Sequence, residues 1–149
     1  MLQQADALIA ACEMLLPAIN ASVTRSRRMI QQGTIAKKFS AFTEHWRPKI
    51  IASLNGQELK IVKVHGIFPW HLHEDCEEMF LVWKGRFRVE FRDHVVEMGS
   101  GDYIVVPRGI EHRTAADEEA EVMIFEPAEV RNTGNVLDDT FTAPQGVRV

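Results

Sequence analysis

The sequence predicts an all-β domain, a sandwich or a barrel, with a short helical extension at its N-terminal end. Beyond about Phe39 the chain consists of short β-rich runs separated by Gly, Asp, Asn and Pro about every eight to twelve residues, which is typical of such folds. Before that point, Leu8, Cys12, Leu15 and Ile19 recur at helical spacing. A chain of 149 residues is long enough for one domain with its own core.

Composition excludes several classes of protein. Apolar residues make up 46% and charged residues 26%, and the formal net charge of -4 provides no basic field for a nucleic acid. The cysteines, Cys12 and Cys76, form no CxxC pair, so a reducing, cytoplasmic setting is expected. Asp6, Glu13 and Pro17 interrupt the first apolar stretch, and no later run is long enough to span a bilayer, so no membrane partner is expected.

Three segments follow from these patterns. Residues 1–38 are predicted to form a helical extension and linker, with a helix from about Gln3 that ends or kinks at Pro17, because proline removes a backbone donor. Residues 39–127 form the barrel, and residues 128–149 form a loosely ordered tail. The predicted strands are Lys49 to Ser53, Glu58 to His65, Trp70 to His73, Glu78 to Trp83, Arg86 to Arg92, His94 to Met98, Tyr103 to Pro107, Glu111 to Ala115 and Glu121 to Glu126.

The first group of candidate metal ligands lies in the middle of the chain. His71 and His73 are separated by one residue, so on a strand both imidazoles point to the same side. A polar loop of four residues follows, and Glu78 begins the returning strand, where its carboxylate can meet the two histidines. Phe80 and Val82 share the parity of Glu78, which places this carboxylate at the mouth of an apolar interior.

The fourth candidate ligand, His112, follows a β-rich run between two turns, in the segment that begins at Gly101. The chain here resembles the cupin superfamily. Its first motif, an HxH pair followed by a glutamate and a glycine, is matched by His71, His73, Glu78 and Gly85. Its second motif, a glycine followed by PxG and a histidine, is matched by Gly101, Pro107, Gly109 and His112. Gly66 and Ala116 depart from the usual pattern, at positions that hold no ligand.

The resemblance implies a double-stranded β-helix, or jelly-roll barrel, with His71, His73, Glu78 and His112 binding one divalent transition metal. The chain is similar to small bacterial cupins that carry a mannose-6-phosphate isomerase-like label. Cupins commonly pair through exchanged N-terminal strands, so a homodimer is expected. His45, His65 and His94 lack this context and are interpreted as structural or surface residues.

Three imidazoles and one carboxylate suit iron, manganese, nickel or zinc, and the ligand set alone does not choose between them. The first hypothesis is a small-molecule metalloenzyme, an oxygenase or an isomerase. Its general base is unidentified, since Glu77 and Glu111 are candidates by proximity alone. The alternatives are a non-catalytic module that binds a small ligand or metal, and a structural barrel with a vestigial site.

Overall fold

The structure is a computed structural model that describes residues 30–149. The helix predicted from about Gln3 to Pro17 lies outside the described residues. One short helix, α1 (Ile35–Phe39), precedes seven strands. They are β1 (Lys49–Leu54), β2 (Gln57–Ile67), β3 (Glu78–Lys84), β4 (Arg86–Phe91), β5 (Val95–Gly99), β6 (Tyr103–Val106) and β7 (His112–Pro127).

The long strand β7 organises the barrel. It pairs antiparallel with β2 on one side, and on the other side it pairs first with β4 and then with β3. Strand β1 extends the sheet beyond β2, β6 extends it beyond β3, and β5 pairs with β4. The all-β prediction with a short helix is therefore confirmed, and the fold is a double-stranded β-helix.

The core fills the inside of the barrel because alternate residues of each strand point inwards. The inward residues of β2 to β7 are mainly Val, Phe, Ala and Ile, and they pack in one cluster: Val62, Val64, Phe80, Val82, Phe87, Val89, Met98, Val106, Ala116, Ala120, Val122 and Ile124. The inward alternation predicted for Phe80 and Val82 is confirmed, since both are buried. A second cluster, which includes Phe39 of α1, lies on the outer face of the sheet.

Two tight turns set the register. Asn55 and Gly56 both have positive φ, 51° and 77°, as a two-residue hairpin between β1 and β2 requires. Gly85 joins β3 to β4 with a φ of 91°, and a Cβ there would lie 3.1 Å from Ala120 and from the carbonyl oxygen of Glu119. Glycine at this position therefore allows both the turn and the close approach of β7.

Three expectations differ from the structure. Residues 70–73 are not a strand, since only His71 forms an isolated bridge, to His112. The two strands predicted from Glu111 to Glu126 are one continuous strand, β7. The tail is not loosely ordered, because the main chain of Ile50 accepts a hydrogen bond from Val149 and donates one to Val147. The bounds 1–38, 39–127 and 128–149 stay a prediction.

Candidate metal centre

Two of the predicted ligands face each other across a single β-bridge. The N–H of His71 donates to the carbonyl oxygen of His112 at 3.0 Å, and the N–H of His112 donates back to His71 at 2.9 Å. This bridge pins the segment after β2 to the first residue of β7. The two imidazole centroids consequently lie 4.5 Å apart.

The other two predicted ligands are held by the turn before β7 and by β3. The carbonyl oxygen of His73 accepts a hydrogen bond from the N–H of Gly109 at 2.8 Å. Glu78 is the first residue of β3 and pairs with Val106 of β6. Because Glu78 has the same parity as Phe80, its carboxylate enters the barrel.

The four side chains converge inside the protein. His71, His73, Glu78 and His112 are between 1% and 7% exposed. The Oε2 atom of Glu78 lies 3.2 Å from Nε2 of His73 and 3.5 Å from Nε2 of His112. Donor atoms of His71, His73 and Glu78 all lie within 4.8 Å of one another, so these three residues could form a metal site.

Three of the converging atoms have no hydrogen-bond partner within residues 30–149. They are Nε2 of His73, Oε2 of Glu78 and Nε2 of His112. Buried polar atoms without partners are costly in free energy and uncommon in folded proteins. A cation among them would satisfy all three at once, so the residues present fit a bound metal.

The remaining ring nitrogens orient two of the histidines. Nδ1 of His71 lies 3.0 Å from the carbonyl oxygen of Pro69, and Nδ1 of His112 lies 3.0 Å from that of Ile110. A carbonyl oxygen only accepts, so each Nδ1 carries the proton. Each Nε2 then has a free lone pair, which is the tautomer that a metal ligand needs.

The protonation of the cluster follows from burial and mutual charge. Burial, reinforced by His112, lowers the pKa of His71 to about 4, so this imidazole is neutral at neutral pH. Burial alone would raise the pKa of Glu78, but the imidazoles of His112 and His73 outweigh it and lower that pKa. Likewise, burial would lower the pKa of His73, and the Glu78 carboxylate raises it. The site thus holds an ionised carboxylate.

Comparison with known proteins connects this geometry to a family. Residues 59–126 match the family described as a cupin domain. A cupin-2 domain containing protein from Shewanella frigidimarina, of known crystal structure, is 41% identical, with 65% of this chain and 95% of that chain covered and a TM-score of 0.64. The chain belongs to the cupin superfamily. The likeness extends over nearly the whole of the Shewanella protein, so it covers a full cupin domain.

Two further relatives have names that state no activity. Protein NMB1881 from Neisseria meningitidis is 23% identical, with 65% of this chain and 99% of that chain covered and a TM-score of 0.61, which supports the fold. The uncharacterized protein YdbB of Bacillus subtilis is 29% identical over 65 residues. That alignment spans 43% of this chain and 58% of YdbB.

A cavity in the cupin barrel reaches the candidate centre and is called the barrel cavity below. His71 and Glu78 contribute to its wall, and the other lining residues are Trp46, Pro48, Val62, Val64, Phe68, Phe80, Phe87, Thr114, Val122, Ile124 and Asn132. Its volume is about 30 Å³, within a larger space of about 380 Å³ that is partly open to bulk solvent. The cavity is therefore narrow, and its walls are mainly apolar.

The prediction missed a group of charged residues inside the same barrel. Nζ of Lys60 lies 2.8 Å from Oε1 of Glu126 and 3.2 Å from Oε2 of Glu58, and all three residues are buried. Oε2 of Glu126 has no hydrogen-bond partner among the residues that the structure describes. Burial, and then the charge of Glu78, raises the pKa of Glu126 to about 7. Lys60 lies two residues from Val62, and Glu126 lies two residues from Ile124, so each charged residue faces the same side of its strand as an inward apolar residue. This alternation is the sequence signal that could have indicated their inward direction.

Other residues singled out in the sequence lie away from the barrel cavity. Glu77 is exposed, and Glu111 pairs with Arg92 on the surface. Cys76 is half-buried, and burial, followed by the charge of Glu126, raises the pKa of its thiol, so it is not an activated nucleophile. The guanidinium carbon of Arg92 lies over the ring of Trp70, 3.9 Å from the ring centroid. None of these four residues lines the barrel cavity.

The three histidines interpreted as structural or surface residues are exposed. His45 pairs with Glu119, and His94 with Asp93. The ring centroid of His65 lies 5.7 Å from that of His45.

In residues 30–149, no helix has the length and apolar character needed to span a membrane.

Proposed function

We propose that this cupin is a metal-dependent enzyme that acts on a small, uncharged molecule bearing oxygen atoms. Its metal would be held by His71, His73, Glu78 and His112. The observation that carries the proposal is the convergence of three buried, unpartnered donor atoms, from His73, Glu78 and His112, beside the neutral imidazole of His71. Iron, manganese, nickel and zinc are all compatible with this donor set.

The barrel cavity indicates the class of substrate. Among the residues 30–149 that line it, Glu78 is the single ionised carboxylate, and no lysine or arginine is present. A phosphate or carboxylate group away from the proposed metal would therefore leave water without a cationic side chain to pair with, at a large cost in free energy. Phe68, Phe80 and Phe87 instead favour an apolar body, while Thr114 and Asn132 can exchange hydrogen bonds with one or two polar atoms. This argues against a sugar phosphate, and so against the mannose-6-phosphate isomerase-like label.

The same lining favours an oxygenase over an isomerase. When bound, a divalent ion would supply Lewis acidity and, in the case of iron or manganese, a redox centre. Isomerisation by proton transfer needs a base within hydrogen-bonding reach of the substrate. Apart from the proposed ligands, the part of the cavity lining that the structure describes contains no carboxylate and no imidazole. The side chains of this cavity would therefore bind and orient the substrate and keep bulk water away.

A non-catalytic binding module is the alternative. It is favoured by the same shortage of acid and base groups and by the narrow space in the barrel cavity. In that case the centre would bind a small ligand or a metal without turning it over. The homodimer and the cytoplasmic location expected from the sequence stay predictions, and light scattering at micromolar concentration tests the first.

Oxygen consumption separates these possibilities. The protein would be loaded separately with Fe²⁺, Mn²⁺, Ni²⁺ and Zn²⁺, and oxygen uptake measured with uncharged diketones and phenols, and with hydroxy acids and sugar phosphates. We expect uptake with an uncharged compound on the iron or manganese protein and none on the zinc protein, which is the redox-inert control. Binding of these compounds without uptake on any metal would support the binding module, and preferential use of sugar phosphates would contradict the substrate class.

A further inference from the structure

The loop that carries two of the proposed ligands is held by the C-terminal part of the chain. Leu72 lies between His71 and His73, in a segment with no strand pairing beyond the bridge of His71 to His112. Its backbone is not left free. The N–H of Leu72 donates to Oδ1 of Asn135 at 3.0 Å, and the N–H of Asn135 donates to the carbonyl oxygen of Leu72 at 3.0 Å. Asn135 therefore holds both polar groups of Leu72.

Gly134 permits this contact. Its φ is 50°, in the left-handed region, and a Cβ built on it would lie 2.1 Å from the carbonyl oxygen of Leu72 and 3.4 Å from Cδ2 of His71. Atoms cannot approach to 2.1 Å without a bond, so any other residue would push the two segments apart. The contact thus reaches the ring of a proposed ligand.

The turn that presents Gly134 and Asn135 is held by its own hydrogen bonds. Thr133 is fully buried, and its hydroxyl lies 2.8 Å from the carbonyl oxygen of Val136 and 2.9 Å from the hydroxyl of Thr142. Nε of Arg131 donates to the carbonyl oxygen of Gly134 at 2.9 Å. These bonds give the turn a defined shape before any metal binds.

We infer that Gly134 and Asn135 are positioning residues of the metal centre, which hold His71 and His73 in the geometry that a metal requires. The inference rests on the proposed metal site. It concerns a part of the chain that lies beyond residue 126, where the match to the cupin domain ends. Partners that orient metal ligands typically change metal affinity by about 10- to 100-fold when they are removed.

Replacement of Asn135 tests the inference. In Asn135→Ala the acceptor for the Leu72 N–H is lost, and we expect Co²⁺ to bind about 10-fold more weakly, with a changed visible spectrum. Asn135→Asp keeps an acceptor oxygen and should restore both the affinity and the spectrum. Asp139→Ala is the matched control, because Asp139 is an exposed residue of the same tail, and it should bind Co²⁺ as the wild type does. Gly134→Ala should weaken binding further if it folds.

Thermal unfolding of the metal-free variants separates positioning from general stability. A purely structural role would lower the melting temperature of Asn135→Ala and leave the Co²⁺ affinity and spectrum of the folded protein unchanged, which would overturn the inference. If the wild type binds neither Co²⁺ nor any of iron, manganese, nickel and zinc, the proposed metal centre itself is overturned. Binding by the wild type together with equal binding by Asn135→Ala would overturn the positioning role alone.

Discussion

His71 and His112 make the same hydrogen bond from opposite halves of the barrel. Each ring directs Nδ1 at the carbonyl oxygen two residues earlier in the chain, that of Pro69 and that of Ile110, and both distances are 3.0 Å. The two residues also exchange both of their main-chain hydrogen bonds. The fold therefore prepares two ligands in matching tautomers before a metal is present, which lowers the cost of organising the site on binding.

The buried Glu126 should make the stability of the metal-free protein depend on pH. Its pKa in the folded state is raised to about 7 by burial and by Glu78, while in the unfolded chain it stays near its usual value. Between these two values the folded protein holds a proton that the unfolded chain has lost, so stability falls as pH rises towards 7. We expect a loss of roughly 1 to 3 kcal/mol from this group across that range.

Glu126→Gln provides the measurement for that prediction. Glutamine fills the same space and does not titrate, so the free energy of unfolding of this variant should fall less between pH 5 and pH 7 than that of the wild type, as urea denaturation at each pH would show. Across this pH range the Glu126 carboxyl is ionised in the unfolded chain and still largely protonated in the folded protein. Parallel curves for the two proteins would contradict the raised pKa.

Gly85 should tolerate alanine less well than Gly101 does. Both have positive φ, 91° and 93°, so alanine strains the backbone at either position by about 1 to 2 kcal/mol. At Gly101 no atom lies within 4 Å of an added Cβ, whereas at Gly85 the backbone of β7 lies 3.1 Å away. Gly85→Ala should therefore lose roughly 1 kcal/mol more than Gly101→Ala in chemical denaturation. Equal losses would mean that β7 moves aside at no cost.

The aromatic residue Phe141 should contribute to stability and leave metal binding unchanged. Its ring centroid lies 5.2 Å from that of Phe68 and 6.1 Å from that of Trp46, two residues that line the barrel cavity. Phe141→Ala should lower the free energy of unfolding by about 1 to 3 kcal/mol, because it removes a half-buried ring. The Co²⁺ affinity of the folded variant should match that of the wild type, and a weaker affinity would show that the aromatic cluster also supports the metal ligands.

Much of the site could be predicted from sequence because its chemistry depends on short-range spacing. His71 and His73 lie two residues apart, and Glu78 shares the parity of Phe80, so strand alternation predicted that the three side chains converge. The strand expected at residues 70–73 was wrong, because this segment pairs only through the bridge of His71 to His112. Its side chains still converge, since that bridge and the hydrogen bond from Gly109 orient the loop.

What the sequence did not indicate depends on contacts between distant parts of the chain. The hydrogen bonds between Leu72 and Asn135 join residues 63 positions apart, and no local pattern pairs these two residues. The tail is polar and rich in turns, a composition shared by loose segments and by packed ones. Lys60 and Glu126 were missed for a different reason. A charged residue at the end of an inward-facing row is usually assumed to reach solvent, and here each charge has a buried partner.

The central claim is that the four residues hold one metal ion, and metal content tests it most directly. The wild type, His73→Ala and His65→Ala would be purified without chelating resin, loaded with each divalent metal, desalted and measured by elemental analysis. His65 is an exposed histidine and serves as the control. We expect about one tightly held ion per chain in the wild type and in His65→Ala, and much less in His73→Ala. Equal metal content in all three proteins would contradict it.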